Sequence, residues 1–221
     1  IEDNVGLFHA LNSAEEVLPI FIFDEHILSQ LPKEDARVSF IHAQLEKIQA
    51  ELNTVGKSLA VFHGKPIEVF EKLITENKIS AVYTNHDYEP YARNRDKELN
   101  QLFVSKEISF LTSKDQVIFE KSEVVKDDGT PYVVFKPYSK KWKENFKKIK
   151  LIHYPSEEKL DKIAQHSYPF LSLTDIGFKS SSIKVTPFDV STTLIQNYEA
   201  TRNFPALNKT SYLGIYLRFG A

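Results

Sequence analysis

Residues 79–113 read ISAVYTNHDYEPYARNRDKELNQLFVSKEISFLTS, and the order of patterns in this stretch decides the fold. Residues 79–85 are a β-rich apolar run, 90–106 a helix opened by Pro90, and 108–113 a second β-rich run. Two strands joined through a helix by short links pair in parallel through a right-handed crossover. The same rhythm continues towards the amino terminus. Residues 17–23, VLPIFIF, form the continuous apolar run that a strand buried on both faces requires. In 35–53, Val38, Ile41, Leu45, Ile48 and Leu52 fall on one helical stripe behind Asp35, a plausible N-cap. Residues 58–64 are a strand closed by Gly64, and Pro66 opens a helix with Ile67, Phe70, Leu73 and Ile74 on its apolar side. Residues 2–14 read as the helix before the first visible strand, so a strand is expected ahead of it. The predicted class is α/β: a doubly wound, mainly parallel five-stranded Rossmann-like sheet whose first strand is missing from this sequence.

Past residue 113 the pattern changes. Two β-rich runs around Asp127-Asp128-Gly129 predict a hairpin. Residues 138–150, YSKKWKENFKKIK, predict a basic aromatic helix. Basic–aromatic mixing can bind nucleic acid, but the spacing favours Trp142, Phe146 and Ile149 buried with the lysines outside. Residues 151–189, with scattered Pro and Ser, predict a long connector on the surface. A further helix is expected from near Val190 to about Thr201. The chain thus divides into an α/β domain (1–150), a linker (151–189) and the beginning of a helical domain (190–221).

The 221 residues are 42% apolar and 26% charged with a formal net charge of −2, ordinary for a globular chain and no global argument for nucleic acid. Cysteine is absent, which excludes disulfides, thiolate catalysis and Cys-ligated metals and fits a reducing compartment. No apolar run reaches the roughly 18 residues of a membrane span. No signal-peptide pattern opens the chain. A cytoplasmic location without a membrane partner is expected. The sequence contains no methionine at all, which reads as a trimmed form of a longer gene product.

In doubly wound sheets ligands sit beyond the carboxyl ends of the strands. Three loops follow from this: Phe23-Asp24-Glu25, His63-Gly64-Lys65 and Asn85 to Tyr91. The last is the densest polar cluster, and it leads into a helix whose amino end presents free N–H groups. Asp87 and Glu89, two apart, can both point into one pocket, but on residue types alone a helix cap with solvated charges is the simpler explanation. The seven histidines show no paired ligand spacing, so no metal is expected. Hydrolase elbow, dinucleotide fingerprint and P-loop patterns are all absent from the sequence. Thr210-Ser211 offers hydroxyls and amides suited to a phosphate, or simply an N-cap.

Six segments, IEDN, LPIFIFD, DARVSF, YTNHDYEPYARNRD, PYSKKW and YEATRNFPALNKTSYLGIYLRFG, occur in the order and spacing of the photolyase/cryptochrome family. Together they resemble most closely the bacterial class I cyclobutane-pyrimidine-dimer photolyases, over nearly the whole chain. The resemblance implies an amino-terminal antenna domain, a linker and the start of the all-α FAD-binding domain. It assigns Tyr198, Thr210, Ser211 and Leu213 to FAD, the Thr-Ser pair at its phosphates, and Arg202 to DNA. Tyr212 and Gly214 depart from it, since the family usually has Arg and Ser there. Most of the flavin pocket and every catalytic residue would lie beyond residue 221, so this stretch alone is not expected to repair DNA.

The resemblance also implies a second, light-harvesting chromophore in the α/β domain. Folate-binding members are similar to one another in an Asn-Glu pair where this chain has Tyr91-Ala92. Phe23 and Asp24 with Asp87 and Glu89 look more like members that bind a deazaflavin or flavin. The implied activity is light-driven electron transfer from reduced FAD that splits cyclobutane pyrimidine dimers in UV-damaged DNA, by a monomer. A cryptochrome-type blue-light photoreceptor without repair activity, or a free-standing α/β binding module, are the alternatives.

Overall fold

The computed structural model describes residues 1–220, and in its first half short strands alternate with helices as the sequence pattern requires. Helix α1 (Val5–Ser13) precedes β1 (Ile20–Asp24), the short α2 (Glu25–Leu28) and the long α3 (Ala36–Thr54). Then follow β2 (Ala60–Gly64), α4 (Pro66–Glu76), β3 (Ala81–Asn85), α5 (Pro90–Ser105) and β4 (Ser109–Ser113). The helix starts carry local signals. Asp35 caps α3 by accepting from Arg37 N, and the side chains of the two also pair at 2.7 Å. Pro66 and Pro90 occupy first helical positions, where a missing N–H costs nothing.

Both pairings are parallel: Ile20–Asp24 register on Ala60–Gly64, and Ala81–Asn85 on Ser109–Ser113. Alternation along the strands sends side chains to two cores. Phe23 and Val61 pack with Val38, Leu45 and Leu52 of α3. Ala60 and Phe62 pack with Phe70 and Leu73 of α4 and Leu99 and Phe103 of α5. Helices therefore cover both faces, the doubly wound, Rossmann-like arrangement. Among the described residues the four strands form two parallel pairs, β1 with β2 and β3 with β4, as small parallel sheets of a Rossmann-like domain.

Two expectations are corrected. Asp127-Asp128-Gly129 does turn the chain, with Gly129 at φ 80° and Lys126 N donating to Thr130 O at 2.9 Å. No hairpin follows, since Pro131 at once removes a ladder donor; a short 3-10 turn (Lys121–Glu123) and helix α6 (Phe135–Phe146) stand there instead. In α6, Trp142 is half-buried against Phe119, but Phe146 and, just past the helix end, Ile149 are exposed, because this helix is anchored at one spot rather than laid along a core.

The segment after α6 is more than a surface connector. A 3-10 stretch (Ser156–Lys162) and the residues after it place Leu160, Ile163, Ile176 and Phe178 in the core beneath α3. Val17 N donates to Lys162 O at 2.9 Å and Ala164 N to Val17 O at 2.8 Å, which fixes this segment beside β1. Helices α7 (Thr192–Thr201) and α8 (Leu213–Phe219) complete the chain, with Phe40 of α3 touching Tyr216 and Phe219 of α8. Among the described residues no helix is long and apolar enough to cross a membrane.

Candidate functional site

The carboxyl ends of β1 and β3 are the place where this topology puts ligand-binding loops. Asp24 ends β1 and is buried, yet it is fully engaged. One oxygen accepts from His26 N at 2.9 Å, which caps α2, and the other accepts from the Tyr91 hydroxyl at 2.5 Å. The Tyr91 ring in turn stacks on His26, centroids 4.6 Å apart. Burial, reinforced by the Asp24 carboxylate, pushes the Tyr91 phenol far above its usual range, so it remains a donor at any physiological pH.

Beyond β3 a second polar cluster forms. With Nδ1 donating to Glu120 at 2.8 Å, the other nitrogen of His86 accepts from the Thr112 hydroxyl at 2.9 Å. Tyr88 donates to the same Glu120 oxygen at 2.6 Å. Those bonds, Tyr88 first, hold the Glu120 carboxyl below the ordinary glutamate value against the opposing effect of its burial. Burial first, and Glu120 second, raise the Tyr88 phenol. The cluster staples the β3–α5 loop to the loop after β4.

Helix α1 closes the site from one side. Its first three amides donate to Asp115, Asn85 and Asn4, at 3.0, 2.8 and 2.9 Å, so this amino end holds no spare donor. Helix α5 differs: its N-cap, Glu89, makes no side-chain cap bond.

The four residues assigned to a second chromophore stand in different surroundings. Phe23 lies in the core, edge-on to Phe21 and stacked on His42. Asp24 is bound to Tyr91. Asp87 accepts from Glu89 N at 3.1 Å, while the Glu89 carboxylate is exposed and reaches Arg218 of α8 at 3.8 Å. Sequence reasoning missed Tyr91 and Glu120 as organising residues. Tyr91 follows Pro90 in the first turn of α5 and so faces back to the strand ends, a positional signal that was readable; Glu120 lies 34 residues from His86 and carried none.

The residues assigned to FAD occupy the last two helices. Tyr198 lies exposed on α7 and Arg202 caps its carboxyl end. Thr210 and Ser211 precede α8, Ser211 Oγ accepts from Leu213 N at 3.3 Å, and a Cβ on Gly214 would meet nothing within 4 Å. Tyr198 thus offers an exposed aromatic ring on α7, and Thr210 and Ser211 offer hydroxyls just ahead of α8, groups of the kind a flavin ring and its phosphates take up. Two clefts of about 550 and 430 Å³ lie elsewhere, one between α3 and residues 172–180 and one beside α4.

The DNA photolyase family profile matches residues 1–159. A deoxyribodipyrimidine photo-lyase from a Synechococcus strain is 28% identical over 238 residues, covering 100% of this chain and 49% of its own length. The crystal structure of a bacterial class III photolyase from Agrobacterium tumefaciens superposes with a TM-score of 0.77 at 22% identity, over 99% of this chain and 48% of that one. That of an archaeal photolyase from Sulfolobus tokodaii, described with two FAD molecules, gives 0.68 at 23% identity, over 99% and 49%. This chain spans about half the length of each of these relatives.

Proposed function

The chain belongs to the DNA photolyase family, and we propose that the protein it represents repairs UV-induced cyclobutane pyrimidine dimers in light. The observation that carries this reading is the family match over 1–159, joined to whole-chain similarity to a deoxyribodipyrimidine photo-lyase. Bound FAD, when reduced and excited, would supply the electron that opens the cyclobutane ring. The chain's own residues would hold and orient. Tyr198 would pack on the flavin, and Thr210, Ser211 and the amide of Leu213 would face its phosphates, where helix-start amides favour negative charge. Arg202, exposed at the end of α7, would meet DNA. A damaged pair costs least to unstack, which favours presentation of a dimer flipped from the duplex.

Residues 1–150 would serve as an antenna domain. Of the two chromophore classes, a flavin or deazaflavin suits the loops after β1 and β3 better than a folate. Tyr91 is tied to Asp24 and Ala92 is buried, so neither offers the amide–carboxylate pair a folate site would use. Asp87, Glu89 and the uncapped amino end of α5 are the groups left to meet such a chromophore. The setting this implies is a cytoplasmic monomer acting on UV-damaged DNA.

The test uses the whole gene product and an oligonucleotide carrying one cyclobutane dimer, under blue light and in darkness. Dimer loss only in light is expected. Bound, photoreducible flavin without dimer loss would replace repair by a photoreceptor function, and a protein that purifies without flavin would remove both.

A further inference from the structure

Helix α6 and its flanks hold a charge imbalance that the antenna reading leaves unused. Between Phe135 and Lys150 there are seven lysines and one glutamate, in a chain of net charge −2. Four of them, Lys136, Lys140, Lys143 and Lys147, follow one another at spacings of four, three and four. At 3.6 residues per turn they form a single stripe about 16 Å long. All four are exposed. Among the described residues none lies within 4.0 Å of a carboxylate, whereas Lys65, Lys72 and Lys114 each have such a partner.

The helix is held from the opposite side. Trp142 packs edge-on against Phe119 at 5.5 Å, and Asn145 Nδ2 donates to Glu123 O at 3.0 Å. On a helical wheel Trp142 and Asn145 lie more than about 120° from the centre of the lysine stripe. The lysines therefore cannot be cover for the anchoring contact; they point away from the body of the protein.

We propose that this stripe is a docking surface for the phosphate backbone of duplex DNA. A row of unpaired ammonium groups along one helix face suits the sequence-independent charge of a phosphate backbone, and it needs no base contact. The choice of DNA over another polyanion rests on the family reading given above. A lipid surface fits less well, because an interfacial helix buries a continuous apolar face, and on α6 that side is interrupted at Trp142, which is turned to Phe119 while Phe146 stays exposed. Val133 and Phe135, 87% and 76% exposed at the start of the helix, are the feature a bilayer would use, so vesicles form one arm of the test.

The full chain is titrated into a labelled, undamaged duplex in darkness, and separately into phosphatidylserine vesicles, from about 50 to 200 mM salt. The combined Lys136→Gln, Lys140→Gln, Lys143→Gln and Lys147→Gln variant is compared with the same four positions changed to Arg. Four phosphate contacts correspond to a slope of about −3.6 in log K against log salt, roughly 100-fold in affinity over that range. The Gln variant is expected to lose most of that slope, and the Arg variant to keep it. If circular dichroism shows the Gln variant misfolded, Lys140→Glu alone is read instead, with a slope change of about 1 to 2. An unchanged slope, absence of duplex binding by the native chain, or lysine-dependent binding to vesicles alone overturns the proposal. No light or dimer enters this assay, so its failure is distinct from failure of the repair reading.

Discussion

His86, Tyr88 and Glu120 show how a few side chains tie two loops together at the strand ends. The Glu120 carboxylate accepts from both others, at 2.8 and 2.6 Å, and its pKa falls as a result. A carboxyl whose folded pKa lies below its unfolded value stabilises the fold above the unfolded value, about 4.3 for glutamate, and that contribution is lost as pH falls through the folded value. Glu123 acts in the same window, lowered first by the bond from Glu120 N and then by Lys114. Replacing Glu120 by Gln is therefore expected to flatten part, not all, of the loss of stability below about pH 4.3. Urea titrations at a series of pH values would read this, and identical acid limbs in the two proteins would rule the linkage out. The sequence pointed to the loop holding His86 and Tyr88, since an acid- and aromatic-rich turn after a strand is a local pattern. Their partner was invisible, because nothing in residues 114–123 marks Glu120 among other charges.

At the scale of elements, α1 is set against β3 by one small residue. A Cβ on Gly6 would stand 2.8 Å from Asn85 Oδ1, and that oxygen accepts from Gly6 N while the amide group donates to Asn4. Helix propensity alone would reward Gly6→Ala by up to about 1 kcal/mol. Displacing Asn85 forfeits two hydrogen bonds, about 0.5–1.5 kcal/mol each, and strains the helix–strand contact, so the net effect is expected to be a loss of about 1–2 kcal/mol. In an Asn85→Ala background the obstacle is gone and the same change should be neutral or stabilising. A thermal-unfolding double-mutant cycle measures the difference; additive effects would mean that Asn85 does not set the distance. Periodicity made α1, α3, α4, α5 and the four strands legible. The hairpin was misread because β-rich text around Asp127–Gly129 was weighed without Pro131, and α6 because a helical stripe of Trp142, Phe146 and Ile149 does not say whether anything covers it.

For the whole molecule, the question is where the first folding unit ends. Composition places a boundary near residue 150, where strand–helix alternation has stopped and Pro- and Ser-containing text begins. The packing runs further. Leu160, Ile163, Ile176 and Phe178 lie at 8% exposure or less, in the same core as Val38, Leu45 and Val61. His42 of α3 also contacts Leu171 O at 2.9 Å, a hydrogen bond across 129 residues. Burying four such side chains contributes about 6–12 kcal/mol, and about a third less when residual burial in the unfolded chain is counted. Domains of this kind are stable by only about 5–15 kcal/mol in total. Loss of residues 151–221 would thus remove a large share of the stability and expose the apolar floor beneath α3. A chain ending at Lys150 is expected to lose cooperative thermal unfolding and to bind a hydrophobic dye, while one ending near residue 182 keeps a sharp transition. Equal melting of the two would make the segment an accessory to the α/β core, whereas the contrast would make it the last part of that core to arrive along the chain.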